Sequence, residues 1–434
     1  MLIEFKFNNY RSFRDEAVLS MEATGLGAFK SCLIMHKNIR ILPAAAIYGK
    51  NAGGKSNVIR AFWLATQFIR NAQRTQHEKA NIPMQPFLLD DDSREKPCSF
   101  EFTYILDNVK YIYGFSATKT EIVKEYLYHA PKGQIALVFN RDYQTFEFRE
   151  NPEKKLRQLI SEAVAKNQLY FAVACTMNEK SCIAAMRWFR ECLFFSRDYT
   201  DIPHQLLECS EDPDMLESIK NYAKTADLGI QDMKFEIKNR DVLDIKNKPE
   251  GVPDGIFAAL TTFAKALAEN TSTSETSLKM GEVQATSYHK GRAADGTEKL
   301  YPLELADESD GTRKLMALAP GIERVLNCGG VMCIDELDKE MHPIMVEMIV
   351  SKFQSPSTNP NHAQLIFTTH DTELLNMELL RKDQVYFVDK RRKDGTSILY
   401  SISDYSTTTN ENIRKGYLLG KYGATPDLQI EEVI

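Results

Sequence analysis

The chain has 434 residues, of which 43% are hydrophobic and 26% charged, and its formal net charge is -6. This is the composition of an ordinary globular protein with room for two domains or one large one. The mild acidity argues against sequence-independent binding of nucleic acid over the whole surface, although it does not exclude a local basic groove. The eight cysteines form no C-x-x-C pair, which indicates buried thiols in a reducing compartment. No apolar run reaches the roughly 18 residues that a membrane-spanning helix needs, so we expect a cytoplasmic protein with no membrane partner.

The first 150 residues predict a strand, a loop leading into a helix, and an antiparallel meander. LIEFKF alternates apolar and polar residues, as a strand does. PAAAIYGK (43–50) is a short apolar run that ends at glycine, and SNVIRAFWLATQFIR (56–70) has helical periodicity. From residue 99 to about 148, aromatic and β-branched segments are separated by the turn signals DN and PKG. This pattern is typical of antiparallel strands.

The rest of the chain predicts a helical region and then a regular α/β region. Residues 152 to about 224 have helical spacing; MKFEIKNRDVLDI (233–245) favours a strand, AALTTFAKALAEN (258–270) a helix and NTSTSETS (270–277) a loop. The last third alternates apolar strands with helices, which indicates a mostly parallel sheet covered on both faces. Its predicted segments are GGVMCIDE, MHPIMVEMIVSKFQ, AQLIFTTH, TELLNMELL, DQVYFVDK and SILYSI.

A phosphate-binding loop is the strongest local signal. Residues 49–56, GKNAGGKS, match G-x-x-x-x-G-K-[ST] at every fixed position, between an apolar strand and a helix. Glycines let backbone N–H groups turn toward phosphate oxygens, and the helix adds its positive end. Lys55 would reach the β- and γ-phosphates of ATP, and Ser56 would ligate Mg²⁺. A glycine-rich turn without phosphate is the alternative. The predicted nucleotide-binding residues here are Gly49, Lys50, Asn51, Ala52, Gly53, Gly54, Lys55, Ser56 and Asn57.

Two later strands end in residues suited to hydrolysis. VMCI is followed by Asp335, which is predicted to hold Mg²⁺ as in a Walker B motif, and by Glu336, which is suited to take a proton from water. LIFTTHD ends in His370, and parallel strands present their C-terminal ends at one edge of a sheet. His370 is therefore predicted to contact the γ-phosphate or the attacking water. The alternatives are a solvated helix start at DELD and a structural histidine.

The segment ESDGT (308–312) offers a second place for a phosphate. Ser309 and Gly311 at the start of a helix supply a hydroxyl, accessible N–H groups and a helix dipole. The phosphate loop already surrounds the nucleotide of its own subunit. The simplest ligand for the helix that begins at ESDGT is therefore the nucleotide bound to a second copy of the chain. The sequence therefore predicts a homodimer or a higher even oligomer whose subunits share two ATP molecules.

The order of these motifs resembles the ABC-type ATPase heads of SMC, RecF and overcoming-lysogenization-defect proteins. More narrowly, the chain resembles the RloA/AbiLi-type AAA ATPases of bacterial phage-defence operons. Two departures from the family pattern are minor: the loop reads NAGGKS where Ser commonly precedes the second Gly, and DKEMHP has Met where Leu is usual. The resemblance runs nearly end to end through NNYRSFRDEAVLSM, IYGKNAGGKSN, PFLLDDDS, ESDGTRKL, DELDKEMHP, QLIFTTHDTELL, DQVYFVDK and YLLGKYGATP.

The resemblance implies a role for each matching residue. It makes Ser309 and Gly311 the signature residues that contact the ATP of the opposite subunit. It makes Glu336 the catalytic base and His370 the switch histidine. It implies that Asp338 is an aspartate that contacts the dimer partner. It also implies that Arg11 is an arginine near the phosphates and that Gln85 is the glutamine of the Q-loop.

The expected fold is an α/β P-loop ATPase head of ABC type with an antiparallel β subdomain and a mainly helical insert. Residues 1–150 would form one ATPase lobe, 151–290 the insert and 291–434 the second lobe. LLDDDSRE (88–95) is interpreted as a solvated loop rather than a metal-nuclease site, and DKRRKDGT as a hairpin turn rather than a nucleic-acid contact.

The function that the resemblance implies is that of an ATP-driven sensor or regulator of a separately encoded, nuclease- or Toprim-like effector in anti-phage defence. The chain itself carries no credible nuclease or protease site, and no motif such as G-x-S-x-G indicates a Ser/His/Asp or Cys/His hydrolase. Two alternatives stay open. One is a DNA-repair or DNA-maintenance ATPase that acts directly on DNA, and the other is a near-inactive scaffold that uses ATP only to hold its subunits together.

Overall fold

The computed structural model describes residues 1–26, 30–72, 81–150, 152–196, 209, 212–226, 229–244, 277–405 and 411–425. Contacts divide the chain into two compact units. The first unit comprises residues 1–197 and 324–434, and the second comprises 198–323. These limits differ from the boundaries near 151 and 291 that the sequence suggested.

The first unit contains a seven-stranded sheet that is antiparallel throughout, in the order β10-β9-β8-β7-β6-β1-β2. Five consecutive strands between residues 98 and 147 pair as neighbours, which confirms the predicted meander. The strand predicted from LIEFKF is also confirmed. The strands are β1 Leu2–Asn8, β2 Ala17–Ser20, β6 Cys98–Leu106, β7 Val109–Ala117, β8 Ile122–Ala130, β9 Ala136–Asp142 and β10 Thr145–Glu147.

A six-stranded sheet in the same unit has the order β11-β15-β16-β5-β17-β18, and only its last pair is antiparallel. Every residue of β5, β15 and β16 is buried, as the apolar composition of these strands requires in a parallel sheet covered on both faces. The mostly parallel sheet is thus confirmed. Its strands are β5 Ala44–Tyr48, β11 Leu193–Ser196, β15 Val331–Ile334, β16 Gln364–Thr368, β17 Val385–Lys390 and β18 Ser397–Ser401.

Aromatic packing joins the meander to helices of the same unit. The ring of Phe5 in β1 stacks on Phe62 of α1 at 4.7 Å, and Trp188 of α5 stacks on Tyr104 of β6 at 4.3 Å. A small hairpin is formed by β3 Ile34–His36 and β4 Ile39–Ile41. The α-helices of this unit are α1 Lys55–Asn71, α2 Asp91–Glu95, α3 Lys154–Ala163, α4 Tyr170–Thr176, α5 Lys180–Glu191, α8 Pro343–Gln354 and α9 Ile413–Leu418.

Two local predictions in this unit were wrong. LLDDDSRE is not an irregular loop, because Asp90 accepts a hydrogen bond from Ser93 N and caps the short helix α2. TELLNMELL does not form a full helix; only a 3-10 turn, Thr372–Leu374, is present. The side chain of Asn376 accepts a hydrogen bond from Glu378 N at 2.9 Å and so competes with helical pairing there.

The second unit contains a three-stranded antiparallel sheet in the order β12-β13-β14. The strand predicted at 233–245 is confirmed as far as Asp244, where β12 ends, but β13 and β14 were not expected in a mainly helical insert. The helix predicted at 258–270 and residues 270–276 of the loop predicted at 270–277 lie outside the described residues, whereas Ser277 begins β13. The elements are α6 Pro213–Ala226, β12 Ile230–Asp244, β13 Ser277–Arg292, β14 Glu298–Glu304 and α7 Asp310–Cys328. The helix α7 belongs to this unit as far as Glu323.

Among the described residues, no helix combines the length and the apolar composition that a membrane span requires.

Candidate nucleotide site

The phosphate loop follows β5 directly and ends where α1 begins. Its tip, Asn51 and Ala52, is exposed. Gly49 has a φ of 154°, and a Cβ there would lie 2.3 Å from the backbone oxygen of Val388 in β17. Gly54, with a φ of 119°, precedes the helix. Glycine is therefore required at position 49 both by conformation and by the closeness of the neighbouring strand.

The side chain of Lys55 is folded back onto the backbone of this loop. Its Nζ donates to Gly49 O at 2.8 Å and to Lys50 O at 3.3 Å, and the side chain is buried. Burial lowers the pKa of Lys55, while the carboxylates of Glu336, Asp335 and Asp338 act in the opposite direction. The loop lysine and the acidic residues after β15 therefore share one electrostatic environment.

Two serines that were not predicted from the sequence hold the loop from outside. Ser397 Oγ donates to Gly53 O at 2.6 Å, and Asn57 Nδ2 donates to Ser12 Oγ at 2.8 Å. The two serines are joined by a bond from Ser397 N to Ser12 O at 2.7 Å. Ser12 lies inside the NNYRSF segment, which is one of the segments that carry the family resemblance and could have indicated its role. No sequence pattern around Ser397 indicates its role.

Lys50 is fixed by a residue that was also missed. Its Nζ lies 2.8 Å from Asp389 Oδ1 at the end of β17. Asp389 is the first residue of the basic segment DKRRKDGT, which the structure confirms as the connection of the β17–β18 hairpin. The loop is thus held by β17 and β18 as well as by β5.

The acidic strand end is organised by a threonine of the neighbouring strand. Thr368 Oγ1, at the end of β16, donates to Asp335 Oδ1 and accepts from Glu336 N, both at 2.7 Å. Glu336 has a φ of 53°, a conformation that is unusual for a residue with a side chain and is concentrated at functional sites. Leu337 N donates to Thr368 O at 3.0 Å, which completes the attachment.

His370 and Asp338 meet at the same edge. His370 N donates to Asp338 Oδ2 at 3.0 Å, and the preceding residue is bound to the end of β5 by a bond from Thr369 N to Ile47 O at 3.1 Å. Partial desolvation of the ring and the ammonium of Lys55 lower the pKa of His370, against the nearby carboxylates. Both effects favour the uncharged imidazole, which can donate or accept a hydrogen bond.

Arg11 and Gln85 are brought together by the fold. Arg11 Nε donates to Gln85 Oε1 at 2.6 Å, and Arg11 N donates to Gln85 O at 2.8 Å. Arg11 directly precedes Ser12, which is bound to Asn57 at the start of α1. Two residues that were singled out separately in the sequence thus form one pair beside the loop.

Ser309 and Gly311 lie in the second unit, whereas the loop, Asp335, Glu336 and His370 lie in the first. Ser309 Oγ accepts from Thr312 N at 3.2 Å and so caps α7. Ser309 is exposed and Gly311 is buried. The predicted helix start at this segment is confirmed.

Ser56 and Asp335 fit a magnesium site by their chemistry. Both offer oxygen atoms, which Mg²⁺ prefers, and two such protein ligands suffice because substrate phosphates and water supply the others. Ser56 is the second residue of α1, and Asp335 directly follows β15. Asp335 acts on the pKa of Lys55, the residue next to Ser56, which supports placing the two predicted ligands at the same site.

A mostly parallel sheet with a phosphate loop after one strand and a carboxylate pair after a nearby strand is the arrangement of a P-loop ATPase. A family model described as "AAA domain, putative AbiEii toxin, Type IV TA system" matches residues 44–168 and 212–376. The chain belongs to this family of AAA-type ATPases. Membership implies that it binds a nucleotide.

Individual relatives are more distant. The chain is 40% identical over 67 residues to a retron Vc95 probable ATPase of Vibrio cholerae serotype O1 biovar El Tor, a match that spans 15% of this chain and only 12% of that protein. Among solved structures it is similar to the SMC head domain of Thermotoga maritima (TM-score 0.37, 12% identity, 92% of this chain and 98% of that one). It is also similar to an SMC head bound to the C-terminal winged-helix domain of ScpA (TM-score 0.41, 12% identity, 92% and 97%).

Proposed function

We propose that this chain hydrolyses ATP between two of its own copies and uses the closing and opening of that dimer as a switch. One observation supports the proposal above all. The phosphate loop after β5, the carboxylates after β15 and His370 after β16 lie at the same edge of one parallel sheet. This is the edge at which α/β sheets bind their ligands.

The loop residues would bind the triphosphate. Lys55 would exchange its bonds to Gly49 O and Lys50 O for phosphate oxygens, which a buried ammonium attracts strongly. Mg²⁺ held by Ser56 and Asp335 would neutralise charge on the β- and γ-phosphate oxygens. Thr368 would keep the Asp335 carboxylate turned toward that position.

Glu336 would act as the general base. It would take a proton from a water molecule whose oxygen forms a bond to the γ-phosphorus, while the bond from that phosphorus to the β–γ bridging oxygen breaks and ADP leaves. Its φ of 53° sets the direction in which its side chain leaves the strand end. The neutral ring of His370 would donate a hydrogen bond to the γ-phosphate or to the water.

The second copy would complete each site. Ser309 and Gly311 would offer a hydroxyl, a backbone N–H and the positive end of α7 to the ATP of the opposite subunit. Asp338 Oδ1 is a buried acceptor without a hydrogen-bond partner among the described residues, and dimer contact would supply one. Arg11 and Gln85 would approach the phosphates from beside the loop.

The cellular role that we propose is regulation of a separately encoded effector in anti-phage defence. The support is the family description, which names a putative toxin of a toxin–antitoxin system, and the partial match to a retron ATPase. A nuclease-like neighbour encoded beside this chain would be the expected partner.

Glu336→Gln tests the mechanism directly. Because the amide cannot take the proton, turnover should fall at least 100-fold while ATP still binds, and an ATP-dependent dimer should accumulate in sedimentation experiments. The matched control is Glu340→Gln, an exposed carboxylate four residues later, which should leave both measurements unchanged.

Two other results would contradict the proposal. Unchanged turnover in Glu336→Gln would favour the scaffold interpretation, in which ATP only holds the subunits together. Strong stimulation of the wild-type ATPase by naked linear DNA, without any partner protein, would favour the ATPase that acts directly on DNA.

A further inference from the structure

A buried carboxylate directly precedes the partner-facing serine. Glu308 is 8% exposed, and its Oε1 accepts a hydrogen bond from Ser287 Oγ. The same oxygen lies 2.7 Å from His289 Nε2. Ser287 and His289 are two residues apart in β13, so both project from the same face of that strand.

Capping of the helix does not account for this cluster. The helix start is already capped by Ser309, whose Oγ accepts from Thr312 N at 3.2 Å. Burial of a carboxylate is costly unless the group is hydrogen-bonded, and an apolar residue could fill the same volume at lower cost. What Glu308 adds is a connection between the start of α7 and a strand.

That connection constrains the next residue. Consecutive Cα atoms are about 3.8 Å apart, so a residue next to a tethered one has little freedom of position. The tether ends on β13, the central strand of its sheet, which is paired on both sides with β12 and β14. Ser287 Oγ also lies 3.3 Å from Leu303 O of β14, so the cluster is attached to two strands.

We infer that Glu308, held by Ser287 and His289, is a positioning residue that aims Ser309 at the nucleotide of the opposite subunit. This inference deepens the proposed function and rests on it. On this inference, the β12–β14 sheet fixes the position of Ser309, and ATP binding and dimer closure depend on different residues. Binding of ATP to the loop of one subunit does not involve the cluster, whereas closure of the dimer does.

The test uses the full chain carrying Glu336→Gln, in which the ATP-bound dimer should persist. Adding Glu308→Ala should weaken ATP-dependent dimerisation at least tenfold in sedimentation experiments, with the Kd for a fluorescent ATP analogue changed less than twofold. Glu308→Gln should restore most of the dimer, because its amide oxygen accepts the same bonds. His289→Ala should give an intermediate loss. The matched control is Glu304→Gln, an exposed carboxylate four residues earlier.

The outcomes are distinguishable. If Glu336→Gln alone forms no dimer with ATP, the proposed function fails. If that dimer forms and Ser309→Ala weakens it, but Glu308→Ala and His289→Ala do not, the positioning role alone is overturned. If Glu308→Ala does not fold, the other two variants still test the positioning role. His289→Ala removes one contact of Glu308, whereas Glu308→Gln keeps both contacts. Neither variant removes the buried side chain at position 308.

Discussion

Thr368 Oγ1 lies 2.7 Å from Asp335 Oδ1 and 2.7 Å from Glu336 N, so one hydroxyl at the end of β16 orients the acidic end of β15. Thr368 is fully buried. Its side chain touches the two residues proposed to hold the metal and to activate water, and its hydroxyl is engaged in those two contacts. It therefore links the geometry of two adjacent strands to the chemistry of the site.

Thr368→Val removes that hydroxyl and keeps the shape. We expect kcat to fall by about 10- to 100-fold, as is usual when a group that orients a metal ligand is lost. Binding of ATP should change little, because Lys55 does not depend on Thr368. Steady-state ATPase assays at varied Mg²⁺ concentration measure the effect. Thr358→Val, at an exposed position, is the control, and an unaltered kcat in Thr368→Val would contradict the proposed orientation.

Ser397→Ala should weaken nucleotide binding. The substitution leaves Gly53 O without the hydroxyl that lies 2.6 Å away, and an unsatisfied buried carbonyl costs about 1–3 kcal/mol. Since about 1.4 kcal/mol corresponds to a factor of ten, we expect roughly a tenfold increase in the Kd for ATP. Titration with a fluorescent ATP analogue measures it. Ser357→Ala, on an exposed loop, should bind ATP like the wild type; an equal Kd for both variants would refute a role for Ser397.

Gly49→Ala should abolish ATP binding and destabilise the first unit. The added Cβ would lie 2.3 Å from Val388 O, so either the loop or β17 has to shift. Overpacking of this kind costs about 1–3 kcal/mol. Thermal unfolding and ATP titration together report both effects. Gly25→Ala is the control, because a Cβ there would meet no atom within 4 Å. Normal ATP affinity in Gly49→Ala would show that the loop tolerates a side chain there.

These residues also show what the sequence could predict. Gly49, Lys55, Asp335 and His370 were found because each ends or follows an apolar strand, a pattern that is local in the chain. Parallel pairing then brings strand ends to one edge whatever the length of chain between them. Ser397 escaped notice because its contact with Gly53 joins residues 344 positions apart and has no local pattern.

The division of the chain into units escaped prediction for a related reason. Helical periodicity predicted a helical region after residue 152, but it does not indicate which sheet a helix packs on. Tyr104 OH of β6 donates to Ala185 O of α5 at 2.9 Å, and Arg157 Nη1 of α3 donates to Val138 O of β9 at 3.0 Å. These contacts attach α3–α5 to the first unit. They depend on side chains that meet only in the folded protein.

Glu125→Ala should destabilise the protein strongly. Glu125 is fully buried and accepts bonds from Tyr170 N at 2.7 Å and Phe171 N at 2.9 Å, at the start of α4. Its carboxylate also lies 3.4 Å from Arg141 Nη1. Breaking a buried ion pair by removing one partner costs about 3–5 kcal/mol. Denaturant unfolding measures the loss, and Lys124→Ala, an exposed neighbour, is the control. Equal stability of both variants would contradict the buried network.

Thiol reactivity tests the burial of the strands. Cys328 is exposed, whereas burial raises the pKa of Cys98 and of Cys175 to about 12. The thiolate is the reactive form, so at pH 8 the two buried groups are protonated as well as shielded, and Cys328 should be alkylated first. Desolvation raises the pKa of Cys328 as well, so its rate should keep increasing from pH 7 through pH 9. Mass spectrometry of peptides after brief alkylation identifies the site, and Cys328→Ser should remove the rapid phase. Rapid modification of Cys98 instead would mean that β6 is accessible, which would contradict the seven-stranded sheet as described.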